Sequence, residues 1–375
     1  MMRPLEVAMH TTVGPRCGIA DYTRALTAAL VPRARVTTVP ITEGRWSPLA
    51  MATAGRRLRG DVAHVQHTYG FFGVDQLTYT IAVRVLLGAL AAPLVITAHT
   101  VRPRGPSRYT GGLGSAFANA LGAPAWHDVE TFRRARAVIV HAALHRDRLV
   151  ERGVDASRCH IVPPGVPPRV AVTPAAVESF RVRHGLRRRV VVGVFGFIDR
   201  TKRIDLLLEA LAGDVGPSAP VLLLAGGARV PEHEAGIAAI RAVAARSGFR
   251  DRLVITGYLE PAEVPVALET MDVVVVPYGT EDSVSYSLHV ALAQRRPVLA
   301  TDVAPLRELA ARGAGLALAR RDDPQDLGKV LRGLLEDPPA RRRLVEAAGD
   351  YAATWGVAAA AARTLEHYGA AREAR

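Results

Sequence analysis

Short runs of Val, Ile and Leu recur along the chain, each followed by a stretch with helical spacing. Leu5–Met9 reads as a strand, followed by a loop from His10 to Gly18 and a helix from about Ile19 to Leu30. Val36–Val39, Val62–Gln66, Leu94–Thr97 and Ala137–His141 read as further strands. Helices are predicted over Leu77–Leu90 and Leu144–Gly153. Strands this uniformly apolar are buried on both faces, which is the mark of βαβ units and a parallel sheet. Near Ile161 the texture changes: "IVPPGVPPRVAVTP" holds five prolines in fourteen residues and reads as a linker. Beyond it the alternation resumes. Strands are predicted at Val190–Phe195, Val221–Leu224, Leu253–Thr256, Val273–Val276 and Val298–Thr301, with helices at Ile204–Leu211, Glu234–Arg246 and Ser287–Ala293. A long helical tail runs from about Asp326 to the end. The pattern predicts an α/β protein of two Rossmann-like parallel-sheet domains. Open sheets of this kind bind ligands beyond the carboxyl ends of their strands, so two of them predict an interdomain cleft.

Size and composition agree. A chain of 375 residues, 49% apolar and 22% charged, is a globular protein too long for one ordinary core. No apolar run has the length of a membrane helix, and the opening Met1–Met9 does not read as a signal peptide, so a cytoplasmic location is expected. The net charge of +13 calls for anionic partners, but only Lys202 and Lys329 are lysines, and the arginines are spread along the chain without interleaved aromatics. A nucleotide fits that distribution better than nucleic acid. Cys17 and Cys159 have no metal-ligand spacing, and both are expected as small packed residues.

The chemistry-bearing residues gather in loops that follow predicted strands. In "TTVGPRCGIADYTRAL", Gly14 and Gly18 flank Cys17, with Tyr22 just inside the next helix. The text is not G-x-G-x-x-G, and it fits a plain turn as well as a ligand loop. His67 and His99 both stand just past strand ends, where a neutral imidazole can donate one hydrogen bond and accept another. Gly196, Arg200 and Lys202 follow another strand. Two cations beside a glycine suit a diphosphate, and both are expected on an exposed loop. Gly226 and Gly227 leave room for a base or ribose, or simply make a turn. Finally, "EDSVSYSLHVALAQRRPVLATD" places Glu281, Ser285, Tyr286 and Ser287 at the mouth of a helix. The serines can cap that helix or leave its amides for a phosphate.

Together these segments resemble a family 4 glycosyltransferase of the GT-B fold. "CGIADYTRAL" is similar to the acceptor-side loop of that family, "VQHTYGFFG" and "VITAHT" to its N-domain segments, and "IVPPGV" to the strand before its hinge. "FGFIDRTKRIDLLLEAL" resembles the donor-phosphate loop, and the Glu281–Asp302 stretch resembles the E-x7-E region. "TWGVAAA" resembles the point where the last helix crosses back to the first domain. The domains implied are 1–168 on the acceptor side, 169–355 for the nucleotide sugar, and a returning helix over 356–375.

The resemblance implies a retaining enzyme that moves a sugar from a UDP- or GDP-linked donor to an acceptor hydroxyl, without metal and with no other cofactor. It implies catalytic roles for His99, Arg200, Lys202 and Glu281, with His99 at the donor sugar and Glu281 at its hydroxyls. It implies donor contacts at Gly196, Gly226, Gly227, Ser285, Tyr286, Ser287 and His289. Gly14, Cys17, Gly18, Tyr22 and His67 fall on the acceptor side. The acceptor is open among sugars, lipid-linked saccharides and natural products, and so is peripheral contact with a membrane. There are departures: counted from Glu281, the second acid of E-x7-E is His289; counted back from Pro297, it is Val290. The usual glycine after the phosphate lysine is Arg203. Two rivals stand beside the enzyme: a non-catalytic nucleotide-sugar-binding protein or partner subunit, and a Rossmann oxidoreductase.

Overall fold

The computed structural model describes residues 3–14, 16–41, 47–73, 76–103, 130–213, 216, 219–230 and 233–373. The chain forms two compact units. One comprises Met1–Gly165, Asp282–Val284 and Val357–Arg375; the other comprises Val166–Glu281 and Ser285–Gly356.

The first unit is built on β1 (Leu5–Thr12), β2 (Ala34–Ile41), β3 (Val62–His67), β4 (Leu94–Ala98), β5 (Ala137–Val140) and β6 (Cys159–Ile161). They lie in the order β2-β1-β3-β4-β5-β6, every pair parallel. The second unit holds β7 (Val191–Phe195), β8 (Val221–Ala225), β9 (Leu253–Ile255), β10 (Val273–Val276), β11 (Val298–Thr301) and β12 (Leu316–Ala319). Their order is β12-β11-β10-β7-β8-β9, again all parallel. The central strands are almost wholly buried, as in Val273–Val276 and Leu222–Ala225. Close strand–helix packing shows at Gly193, where an added Cβ would meet the Met271 sulfur at 2.1 Å.

Strand order locates the ligand edge. The winding reverses between β1 and β3 in the first sheet, and between β7 and β10 in the second. At such a reversal the two following loops diverge to opposite faces and leave a crevice at the strands' carboxyl ends. The loops after β7 and β10 are Gly196–Lys202 and Pro277–Ser285, the segments singled out for phosphate chemistry.

Some elements differ from the sequence pattern. Pro174 does not belong to the linker but opens the helix Pro174–Arg183, with Thr173 as cap accepting from Ala176 N at 3.2 Å. Proline suits a first helical position because the N–H it lacks would be unpaired there. Ser47 and Pro48 start the helix Pro48–Arg57 in the same way. The tail is three helices, Pro324–Glu336, Pro338–Thr354 and Val357–Glu373. Pro338 cannot continue a helix, and Asp337 caps the next one by accepting from Ala340 N at 2.9 Å. The last helix belongs to the first unit, where Tyr368 hydrogen-bonds His64 Nδ1 at 2.5 Å. Among the described residues no helix is long and apolar enough to cross a membrane.

The first unit encloses several histidines. His10, His64 and His67 are each at most 1% exposed. Burial pushes His10 down to about 4, and His64 and His67 down to about 3. The unfolded chain takes up these protons near pH 6.5 and the folded chain resists them, so stability is full above about 6.5 and falls as pH drops. Each such histidine contributes about 1.4 kcal/mol of loss per pH unit below that point. Urea unfolding at pH 7, 6 and 5 should show a falling midpoint, and His64→Gln should flatten the slope; a midpoint constant from pH 7 to 5 would contradict it.

Candidate functional site

At the switch point of the second unit, β7 ends and the chain turns through Gly196, whose φ of +114° is closed to ordinary side chains. A Cβ there would sit 2.7 Å from Ser287 Oγ and 3.1 Å from Lys202 Nζ, so those two groups converge on the glycine. Asp199 caps the single turn Arg200–Lys202, accepting from Thr201 N at 2.8 Å. Arg203 follows in the left-handed region at φ +42°, a conformation that glycine adopts most readily. Its guanidinium pairs with Asp205 and Asp322.

Lys202 corrects the expectation of an exposed loop. It is 6% exposed, and its ammonium donates to Phe195 O at 3.3 Å and to the Tyr278 hydroxyl. Among the described residues no carboxylate pairs with it. A buried cation without a counter-charge is costly unless an anion completes the site. Arg200, by contrast, is exposed, and its side chain has no hydrogen-bond partner among the described residues.

Ser285 caps the helix Tyr286–Ala293, its Oγ accepting from Leu288 N at 3.3 Å and bonded to the Tyr278 hydroxyl at 2.6 Å. Capping and anion binding are therefore not alternatives here: the cap holds the helix start in place, and the remaining first-turn amides are the donors every helix start leaves over. Glu281 Oε1 accepts from Ala304 N at 3.1 Å, at the start of the helix Ala304–Ala311.

His289 is fully buried. Its Nδ1–H donates to Ser285 O at 2.9 Å, leaving Nε2 buried and without a partner among the described residues. Burial drops it to about 4, so the ring is neutral at physiological pH and Nε2 is an acceptor. Gly226 and Gly227 have a packing reason. A Cβ on Gly226 would lie 2.0 Å from Gly196 O, and one on Gly227 would lie 3.0 Å from Tyr258 N. Gly226 N also donates to Thr256 Oγ1 at 3.0 Å.

At the ligand edge of the first unit, Gly18 has open space above it, while a Cβ on Gly14 would lie 3.9 Å from Thr12 Oγ1. Cys17 and Tyr22 are buried, and the Tyr22 ring packs edge-on against His99 at 5.0 Å and His141 at 5.5 Å. His99 is partly buried, with Nε2 to Gln66 Oε1 at 2.7 Å and Nδ1 facing His141 Nε2 at 3.1 Å. Val162 O can only accept, so His141 Nδ1 carries the proton donated there at 2.8 Å. Burial and the neighbouring histidines hold His99 well below the usual imidazole range. His67 does not face a ligand edge. It is 1% exposed, stacked on Phe72 at 5.6 Å and bonded to the Tyr79 hydroxyl at 2.8 Å. As the last residue of β3 its side chain follows the strand's alternation into the aromatic core.

Sequence reasoning passed over Tyr278, His141 and Gln66. Tyr278 stands two residues past β10, but its contact with Lys202 spans 76 residues. His141 carried a legible signal, since it stands just past β5 as His99 stands past β4.

Comparison with known proteins matches residues 15–170 to the family described as Glycosyltransferase Family 4 and residues 189–337 to that described as Glycosyl transferases group 1. The chain is 27% identical over 293 residues to a 2-deoxystreptamine glucosyltransferase of Streptomyces kanamyceticus, covering 76% of this chain and 73% of that protein. It is 28% identical over 329 residues to a D-inositol 3-phosphate glycosyltransferase of Xylanimonas cellulosilytica, covering 84% of this chain and 75% of that protein. The crystal structure of Anabaena HepE in complex with UDP and glucose superposes with a TM-score of 0.74 at 16% identity, over 97% of this chain and 99% of that one.

The glycines of the two loops predict opposite outcomes. Gly226→Ala drives a Cβ into backbone at a φ of +155° and should cost at least about 1–3 kcal/mol, read as a lowered melting temperature. Gly18→Ala meets nothing within 4 Å and should leave the melting temperature level or raise it, by up to about 1 kcal/mol of stability.

Proposed function

We propose that this chain, which belongs to the family 4 glycosyltransferases of the GT-B fold, takes a nucleotide sugar as donor and passes the sugar to an acceptor hydroxyl with retention and without a metal. The observation that carries the donor half is the buried Lys202 ammonium, unpaired by any carboxylate among the described residues and set beside a helix start. That is a site waiting for a diphosphate. As the bond from the sugar's C1 to the phosphate oxygen breaks, negative charge gathers on the leaving diphosphate. Lys202, Arg200 and the first-turn amides of Tyr286–Ala293 would stabilise that charge, a role in which preorganised donors gain most. The acceptor oxygen forms the new bond to C1, and its proton passes to the leaving phosphate, so no carboxylate base is called for.

His289 Nε2 suits a ribose hydroxyl, which can donate to it where, counted from Glu281, the resemblance implies an acid. UDP is the donor nucleotide favoured here, supported by the nucleotide named for the neighbouring structure. The acceptors named for the two relatives, 2-deoxystreptamine and an inositol phosphate, are both six-membered cyclitols. A small cyclitol or comparable polyol is the acceptor class we favour, handled by the first unit's ligand edge around Gly14–Gly18. The rival reading, a nucleotide-sugar binder without turnover, draws on Glu281, whose Oε1 accepts from Ala304 N. Release of free sugar from UDP-glucose in the presence of the protein separates the two.

Lys202→Met should lower turnover by about 2–4 kcal/mol of transition-state stabilisation, with Arg200→Ala in the same range. Because Lys202→Met removes a buried unpaired charge, its melting temperature should hold or rise. Wild-type turnover in either variant would remove that residue from the phosphate site. Activity should persist in EDTA; loss that magnesium or manganese restores would contradict the metal-free mechanism.

Calorimetry with UDP tests the ribose contact. His289→Ala should weaken binding by about 0.5–1.5 kcal/mol, the net value of one hydrogen bond, and His289→Glu should keep or tighten it. Equal affinity in all three proteins would leave His289 as a packed helix residue.

A further inference from the structure

Donor and acceptor bookkeeping in the second unit fixes the direction of a hydrogen-bond chain. An ammonium only donates, so the oxygen of Tyr278 must accept from Lys202. The Tyr278 proton is then left for its other partner, Ser285 Oγ, at 2.6 Å. Ser285 Oγ also accepts from Leu288 N at 3.3 Å, so both of its lone pairs are taken. The hydroxyl proton of Ser285 therefore has no acceptor among the described residues and can serve only as a donor. Lys202 is in the same position, since two of its three N–H groups go to Phe195 O and Tyr278 and the third is unspent.

Tyr278 is itself tightly held. Thr301 Oγ1 donates to its carbonyl at 2.6 Å, Gly279 N reaches Thr201 O at 3.4 Å, and the Lys202 ammonium lies 4.5 Å from its ring centroid. The phenol thus links the phosphate loop after β7 to the helix start after β10.

From this geometry we infer that Tyr278 is a positioning residue that turns Ser285 into a dedicated hydrogen-bond donor for the diphosphate of the nucleotide. A buried cation at one end polarises the chain toward its free end, which strengthens the last donor. The inference rests on the nucleotide-sugar reading and adds to it the group through which the cation acts on a second donor. Without the phenol hydroxyl, Ser285 regains freedom to turn its proton toward the backbone, and Lys202 loses its lateral support.

The test is calorimetric titration of UDP, and of uridine as a probe without phosphate, against wild type, Tyr278→Phe, Ser285→Ala, Ser285→Thr and the double variant Tyr278→Phe/Ser285→Ala. Tyr278→Phe keeps the ring and removes only the hydroxyl. We expect about a tenfold loss of UDP affinity in Tyr278→Phe and in Ser285→Ala, with uridine affinity unchanged. The double variant should be no weaker than the worse single, and Ser285→Thr should retain wild-type affinity. Equal loss for uridine and UDP would mean a general structural defect and overturn the inference. So would multiplying losses in the double variant, or wild-type UDP affinity in Tyr278→Phe. Failure of the wild type to bind UDP, GDP or ADP would instead overturn the nucleotide reading and this inference with it.

Discussion

A single unpaired ammonium organises the second unit. Lys202 is carried inward at the reversal of strand order, where the loops after β7 and β10 come together, and no carboxylate among the described residues meets it. Such a charge persists in a fold only if dipoles support it and an anion can complete it. The surrounding oddities follow from that need. Gly196 must lack a side chain, because Ser287 and Lys202 occupy the space one would fill. Gly226 must lack one because Gly196 is turned against it. Ser285 caps the facing helix and Tyr278 spans the gap.

The first unit uses a different electrostatic device at its own ligand edge. There His99 is held neutral, because burial and the neighbouring histidines disfavour its charged form. His99 and His141 stand at equivalent places past neighbouring strands and face each other, with Tyr22 against both. A neutral, hydrogen-bonded surface of this kind suits hydroxyl-rich ligands, whereas the cationic edge of the second unit suits phosphate. The division follows from which residues each sheet delivers past its strand ends.

Much of the fold was legible because its strands are short, apolar and evenly spaced. β3, β4, β8, β10 and β11 fall within a residue or two of their predicted bounds. Elements opened by proline escape the pattern: no helix is read over Pro48–Arg57, and Pro174 falls in the predicted linker although it opens Pro174–Arg183, since the same residue that breaks a helix interior starts a helix well. The tail was read as one helix because Ala, Leu and Arg hold a helical pattern across Asp337-Pro338 even though the backbone cannot.

What the sequence determined by itself was local: the βα alternation, the residues following each strand, and the scarcity of lysine that made Lys202 stand out. Those properties depend on neighbours a few positions apart. Tertiary structure decided what each of these residues meets. His67 and His99 look alike in the chain, one strand end apart, yet one points into an aromatic core and the other to Gln66 and His141. Lys202 reads as a loop cation, but the sheet's reversal brings Tyr278 across it and removes water. A pleat sends adjacent side chains to opposite faces, and a crossover brings together residues 76 positions apart; neither is written in local composition.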